Sequence, residues 1–295
     1  MELKPSYSNR PFPKFSFPKR EGFFSVDERR NYHNSMFNLR YLSAPRELNF
    51  SLNDGDDTYV EKLTSAEDEK LSHLLTYIMN NKSVISRENA PEFVCFRGLL
   101  RMIMSTPYDN RESWIVLATY YKRTIYLCAA ETESKKAEKM RKTARDEMFR
   151  RYGFKFENFV LSSHPHKPPP GHTKPVNESE EFCIMFSSKL NGKKLLYGAE
   201  IDGLIAKEPC TSLEYLRKVP LVEVKVKRIE NNERQLQNFY RFKSRNWWLQ
   251  SFLVGIDAIH VGLRNDDGIV EGLEQISLKD LYNEVKNNDY WNGAV

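Results

Sequence analysis

Cysteine is scarce in this chain of 295 residues: there are four, Cys95, Cys128, Cys183 and Cys210, widely spaced and with no C-x-x-C pair. That spacing gives neither a zinc site nor a disulfide framework, so they read as reduced, mostly buried thiols. No segment has the roughly 18 consecutive apolar residues needed to cross a bilayer. The N-terminus sets Pro11, Pro13 and Pro18 among aromatic and basic residues and has no apolar signal-peptide core. The expectation is a soluble nuclear or cytosolic protein with no membrane partner. A large excess of one charge is also missing, since 45 Lys and Arg face 40 Asp and Glu. The mild basic balance permits a polyanionic partner without requiring one. No internal repeat is visible.

What is present is an ordinary globular composition, enough for one large or two small domains. The first thirty residues carry Phe12, Phe15, Phe17, Phe23 and Phe24, too much apolar surface for a plain tail, and read as an arm wrapping the body, with the first ten residues disordered. Ser65 to Asn80 places apolar residues at helical spacing behind a Ser cap, which predicts an amphipathic helix. FVCFRGLLRMIMS and WIVLATYYKRTIYLCAA, separated by TPYDN, read as antiparallel strands of a meander. Ser134 to Tyr152 reads as one helix with Ala137, Met140, Ala144, Met148 and Tyr152 on its inner face and a solvated charged face opposite.

SSHPHKPPPGH is a proline-rich surface loop that closes one structural unit and opens the next. Its three histidines are not read as a metal site, because the prolines prevent the regular backbone that would converge them. Strands then follow at EFCIMFSSKL, LLYGAEIDGLIA and PLVEVKVKRI, a helix through FYRFKSRNWWLQSFLVG, a strand at AIHVGLR and a last helix near LKDLYNEV.

Strand side chains alternate between faces, so E-I-D puts Glu200 and Asp202 on one face and E-V-K puts Glu223 and Lys225 on one face of the next strand. Carboxylates that converge need a cation, and hard oxygen ligands suit Mg²⁺ or Mn²⁺. Such a site favours hydrolysis of a phosphodiester or pyrophosphate, with the lysine orienting or deprotonating the nucleophile. Taken alone, an E-x-K in a strand is usually a solvated edge. An acid pair followed by E-x-K resembles the PD-(D/E)xK nuclease pattern.

Further elements extend the match in order: Arg97 in FRGLLRMIMSTPY, the G-Φ-x-Φ-E run from Gly153 to Glu157, EID, EVK, Gln250 in NWWLQSFLVG, and Gly262-Leu263-Arg264 as G-Φ-R. Together with NLRYLSAP and FYRFKSRNWW they resemble the DXO family of decapping exoribonucleases and RNA 5′-end pyrophosphohydrolases over roughly residues 22 to 293. Family members usually continue past the position of Trp291 with another helix and strands, whereas this chain stops at Val295.

The resemblance implies an α/β fold: a twisted mixed β-sheet core of PD-(D/E)xK type flanked by helices, with the active-site cleft between sheets. It implies an N-terminal arm over 1–21 and a single catalytic domain over 22–295, lacking a C-terminal helix and strands if the family length holds. Glu157, Asp202 and Glu223 with the Val224 carbonyl are implied to hold one divalent ion, Mg²⁺ or Mn²⁺, and Glu200 with Asp202 a second. Lys225 and Gln250 would position the attacking water and the phosphate, and Arg97 and Arg264 would grip phosphate oxygens.

The activities implied are removal of incomplete or NAD-type caps, pyrophosphate release from 5′-triphosphate RNA and 5′-to-3′ exonucleolysis. Removal of an aberrant or noncanonical 5′ end ranks first. The RNA 5′ end is the expected partner, a 5′-to-3′ exoribonuclease a further one, and the nucleus the expected compartment with the cytosol next. Two competing readings remain: a non-catalytic paralogue that binds RNA ends or docks on an exoribonuclease, and a DNA nuclease of the wider PD-(D/E)xK class.

Overall fold

The computed structural model describes residues 13–62, 69–86, 88, 90–109 and 113–291. The chain opens with β1 (Lys19–Val26), β2 (Tyr32–His33), β3 (Tyr41–Leu42) and β4 (Phe50–Ser51), then α1 (Ser72–Asn80). β5 (Phe93–Phe96) runs directly into α2 (Arg97–Ser105), and β6 (Ile115–Tyr121) and β7 (Thr124–Ala130) form a hairpin. α3 (Glu133–Arg141) and α4 (Ala144–Val160) lead through β8 (Leu161–Ser162) to the long pair β9 (Glu181–Leu190) and β10 (Lys193–Glu200). β11 (Gly203–Leu204), α5 (Leu213–Leu216), β12 (Leu221–Arg228), α6 (Glu233–Asn238), α7 (Ser244–Phe252), β13 (Ala258–Arg264), β14 (Ile269–Ser277) and α8 (Leu278–Asn287) complete it.

Two mixed seven-stranded sheets result, in the orders β2-β1-β9-β10-β5-β7-β6 and β4-β14-β13-β12-β11-β3-β8. β9 shows why both faces of the first sheet are covered. Phe182, Ile184 and Phe186 enter the core shared with Leu204 and Leu221 of the second sheet, while Cys183 and Met185 join Leu74, Tyr77 and Ile78 of α1 on the other face. The period of two in its side chains buries a residue of each kind in turn. A fully buried aromatic such as Phe186, stacked on Tyr197 at 5.8 Å between ring centroids, contributes about 1.5–3 kcal/mol. The second sheet is sandwiched likewise: α4 packs Tyr152, Phe156 and Val160 on Val222 and Val224, and α7 packs Trp247 and Trp248 on the Ile259 and Val261 side.

Several local expectations are corrected. RGLLRMIMS is the helix α2, since its leucines and methionines have no β-branched run to hold an extended chain and Leu99 turns into the core. β5 therefore stands parallel to both β7 and β10, and a meander is limited to β6 and β7. The helix expected from Ser65 begins only at Ser72; Ser65 and Glu67 lie outside the described residues. Ahead of it Glu69 is drawn into an ion pair with Arg30 at 2.6 Å and Lys70 takes a left-handed φ of 44°.

The single helix expected over 134–152 is two. Lys142 is extended and Thr143 starts α4 with a capping box to Asp146, and α4 then continues to Val160 and carries Glu157. Within the first thirty residues, β1 is a full strand paired with β9, and Phe15 packs on Phe252 at 5.4 Å. β14 is a strand that the sequence pattern does not mark, because its Glu and Gly residues dilute the alternation.

Candidate metal centre

The E-I-D element lies where the chain passes from one sheet to the other. β10 ends at Glu200, and Ile201 anchors the corner: its side chain is buried in the inter-sheet core and its N–H donates to the Phe182 carbonyl at 2.9 Å. Asp202 follows outside any strand, and its Oδ2 accepts the Val224 N–H of β12 at 2.8 Å. Glu200 and Asp202 thus converge through a corner, not through alternation along one strand. On β12 the alternation does operate: Glu223 and Lys225 share a face and pair at 2.5 Å. Arg97, the first residue of α2, reaches that face with Nη1 at 3.4 Å from Glu223 and 3.3 Å from the Gln250 carbonyl. Gln250 is thereby placed beside Arg97 at the end of α7.

Glu157 comes from the last turns of α4 and is hydrogen-bonded to the guanidinium of Arg40. Arg40 was not singled out from the sequence, although NLRYLSAP contains it. A second signal was Gly203. A Cβ there would stand 2.9 Å from the Arg40 carbonyl oxygen, so the glycine after the acid pair lets this segment close against β11. Leu204 N–H fixes the contact by donating to the same carbonyl at 2.9 Å.

The electrostatics tie these groups into one cluster. Burial, then the charges of Glu181, Glu157 and Asp202, push Glu200 up to about 8. Glu200 is exposed to the cleft, so the crowding of carboxylates is the firmer of these causes. Burial and then Glu223 push Asp202 up to about 7, against the pull of Lys225. For Glu223 burial also acts upward, but Lys225 and Arg97 outweigh it and its carboxyl is held below the ordinary range. Arg40 keeps its proton more firmly than usual: burial works against the charge, but Glu157, Asp202 and Glu200 outweigh it. Among the described residues no three acidic, imidazole or thiol groups already form a metal cage. Instead Arg40 holds Glu157, Lys225 and Arg97 hold Glu223, and the Val224 N–H holds Asp202.

The donor set fits a hard divalent cation. It consists of the Glu157, Glu200, Asp202 and Glu223 carboxylates with the Val224 carbonyl nearby, all oxygen and without a soft ligand. Carboxylates crowded enough to retain protons near neutrality are those a divalent ion would relieve. Glu157, Glu200 and Arg40 also line a cleft of roughly 380 Å³ whose far wall includes Lys167, Pro168 and Pro170 of the proline-rich loop.

Arg264 is not brought to this cluster. It pairs in register with Arg228, on the sheet face of Val222 and Val224, opposite Glu223 and Lys225. Its guanidinium lies over the rings of Phe149 and Tyr152 at 4.6 and 5.2 Å and donates to the Asn265 carbonyl at 2.8 Å. It packs α4 onto β13, on the opposite sheet face from Glu223 and Lys225.

A family model described as RAI1 like PD-(D/E)XK nuclease matches residues 16–295. The chain is 34% identical over 289 residues to the decapping and exoribonuclease protein Rai1 of Drosophila melanogaster, covering 92% of this chain and 76% of that one. Its fold superposes on Candida albicans Rai1, solved in complex with pU5-Mn²⁺, with a TM-score of 0.82 at 19% identity, over 95% of this chain and 76% of the other. Scheffersomyces stipitis Rai1, solved with (3'-NADP)⁺ and a calcium ion, gives 0.80 at 20% identity, over 96% and 79%. With the E-I-D corner, the E-V-K strand and Arg97 in place around one acid cluster, the chain belongs to the RAI1-like PD-(D/E)XK nuclease family.

Proposed function

We propose that the protein is a divalent-metal-dependent hydrolase of RNA 5′ ends, acting in RNA quality control by removing incomplete or NAD-type caps or releasing pyrophosphate from 5′-triphosphates. The observation that carries the reading is the convergence of Asp202 on Val224 beside the Glu223–Lys225 pair. The names of its relatives, which are decapping and exoribonuclease proteins, support the substrate class.

Glu157, Asp202 and Glu223 with the Val224 carbonyl would hold one ion, Mg²⁺ or Mn²⁺, and Glu200 with Asp202 a second. Bound there, divalent ions supply Lewis-acid stabilisation of the charge that builds on phosphate oxygens. The protein's own groups do the remainder. Lys225, kept on the face of Glu223, presents its ammonium to the reacting phosphate. Gln250 orients the water at the end of α7, and Arg97 contributes a second cation from the start of α2. Asp202 fixes the spacing of the two sheets through its bond to Val224, so the halves of the site keep one geometry.

The cation-held acids also suit a second reading, in which the chain binds RNA ends without hydrolysing them. One experiment separates the two. Purified protein is incubated with Mg²⁺ or Mn²⁺ and RNAs carrying 5′-triphosphate, GpppN, methylated-cap, NAD or monophosphate ends, beside a Glu200→Ala, Asp202→Ala control. Hydrolysis lost in the control supports the enzyme and identifies its substrate, and shortening of monophosphate RNA adds exonuclease activity. Binding with every RNA intact supports the second reading.

A 5′-to-3′ exoribonuclease is the proposed protein partner. The feature supporting a docking role is β6, an edge strand with Ile115, Leu117, Tyr120 and Tyr121 exposed. Co-purification with and without Leu117→Lys, Tyr120→Lys tests it. The nucleus is the proposed compartment, on family grounds, and imaging of a tagged chain tests that.

A further inference from the structure

α2 carries a second arginine, Arg101, four residues after Arg97 and so on the same helix face one turn along. It lies within electrostatic reach of Arg97 and Glu223, and burial together with Arg97 pushes its guanidinium below its ordinary value. Glu223 is the single acid that pulls it back, and that carboxylate is already shared between Lys225 and Arg97. Among the described residues Arg101 has no hydrogen bond or ion pair of its own.

Two adjacent guanidiniums with one shared counter-charge form an unbalanced positive patch at the edge of the acid cluster. A structural arginine on a helix normally finds a carboxylate or a carbonyl, as Arg150 does with Glu147 and Glu178. A planar, permanently charged fork without a partner among the described residues, beside a centre proposed to act on a phosphate, is suited to a phosphate oxygen.

We infer that Arg101 binds a second phosphate, one position away from the phosphate that Arg97 and Lys225 face, and so contributes to substrate affinity and choice of 5′ end. This rests on the proposed function. The second phosphate can be the next phosphodiester of the strand or a neighbouring phosphate of a 5′-polyphosphate. The chemistry is the same, and the test tells them apart.

The test measures binding of fluorescent oligouridylates bearing 5′-hydroxyl, 5′-monophosphate or 5′-triphosphate ends, with Ca²⁺ present, to the wild type, Arg101→Gln and Arg101→Lys. Thermal midpoints are recorded alongside. Because Arg101 has no hydrogen-bond or ion-pair partner among the described residues, Arg101→Gln should melt within a degree or two of the wild type. Its affinity should fall about five- to tenfold, and the slope of log K against log salt should shrink by about 0.7, the value for one phosphate contact to a single strand. Arg101→Lys should recover most of both.

Loss with all three RNAs assigns the strand phosphodiester, and loss confined to the triphosphate assigns the 5′-polyphosphate. In turnover KM should rise while kcat holds. Unchanged affinity and salt slope in Arg101→Gln, with wild type binding normally, would overturn the inference and leave the proposed function standing. Wild type that binds none of the RNAs would overturn both.

Discussion

Asp202 and Val224 are joined across the junction of the two sheets, the carboxylate Oδ2 accepting the backbone N–H at 2.8 Å. The bond gives Asp202 a structural duty beside its proposed role as metal ligand, and two substitutions separate them. Asp202→Asn can still accept from Val224 but brings no charge, whereas Asp202→Ala loses both. Hydrolysis should fall at least about a hundredfold in either, the scale of losing one electrostatic group at a reacting centre. Thermal melts should distinguish them. Asp202→Asn should match or exceed the metal-free wild type, because burial disfavours the native charge, while Asp202→Ala should melt lower.

Arg40 stands in for a cation among Glu157, Asp202 and Glu200. Arg40→Gln should destabilise the metal-free protein by about 1–3 kcal/mol, less than a fully buried pair because both partners retain some solvent contact. Saturating Mn²⁺ should close most of that gap. Chemical denaturation with and without Mn²⁺ measures both values, and an equal loss in the two conditions would contradict the stand-in role.

How far the site could be read from sequence depends on which residue is asked about. Glu223 and Lys225 follow strand alternation and were legible. Glu200 and Asp202 do not share a strand face as alternation predicts, because the strand stops at Glu200 and the corner at Ile201 turns the chain between them. Arg97 was recognised by its place in the pattern while its element was mistaken, since Leu and Met suit either conformation and tertiary burial decides. Arg40 could not be found by local spacing: its partner Glu157 is more than a hundred residues away and comes from a different element. Arg264 shows the reverse, a motif arginine whose neighbours turn out to be aromatic rings. The α/β class with helices outside a mixed sheet and a cleft between sheets followed from the pattern, but β14 did not, because its Glu and Gly residues leave little apolar alternation.

Gly262 of the G-Φ-R element has a packing role. A Cβ there would meet Phe156 of α4 at 2.4 Å, and Phe156 is adjacent to Glu157. Gly262→Ala should push α4 off β13, costing about 1–3 kcal/mol as overpacking usually does, and should lower activity by displacing Glu157. Phe156→Leu in the same chain should recover part of both, as measured by denaturation and turnover. No recovery would disconnect the glycine from the position of Glu157.

Proton linkage gives a prediction for the metal-free state. Glu200 and Asp202 hold their protons up to about 8 and about 7. A carboxyl whose folded value is raised stabilises the fold most when protonated, and that contribution is lost as pH climbs from the unfolded range to the folded one. Metal-free stability should therefore decline from about pH 4.5 towards pH 8 through these groups, and Mn²⁺ should stabilise more as pH rises because it binds the ionised forms. Glu200→Gln should flatten both trends. Melts across that range, with and without Mn²⁺, test the sign. A Mn²⁺ effect that shrinks with rising pH would contradict it.

The most direct measurement follows release of the 5′ group from end-labelled triphosphate and NAD-capped RNA by wild type and Asp202→Asn, each with Mn²⁺ or with EDTA. Release is expected only from wild type with Mn²⁺. Release that persists in EDTA or in Asp202→Asn, or no release from either RNA by a wild type shown to bind Mn²⁺, would contradict it.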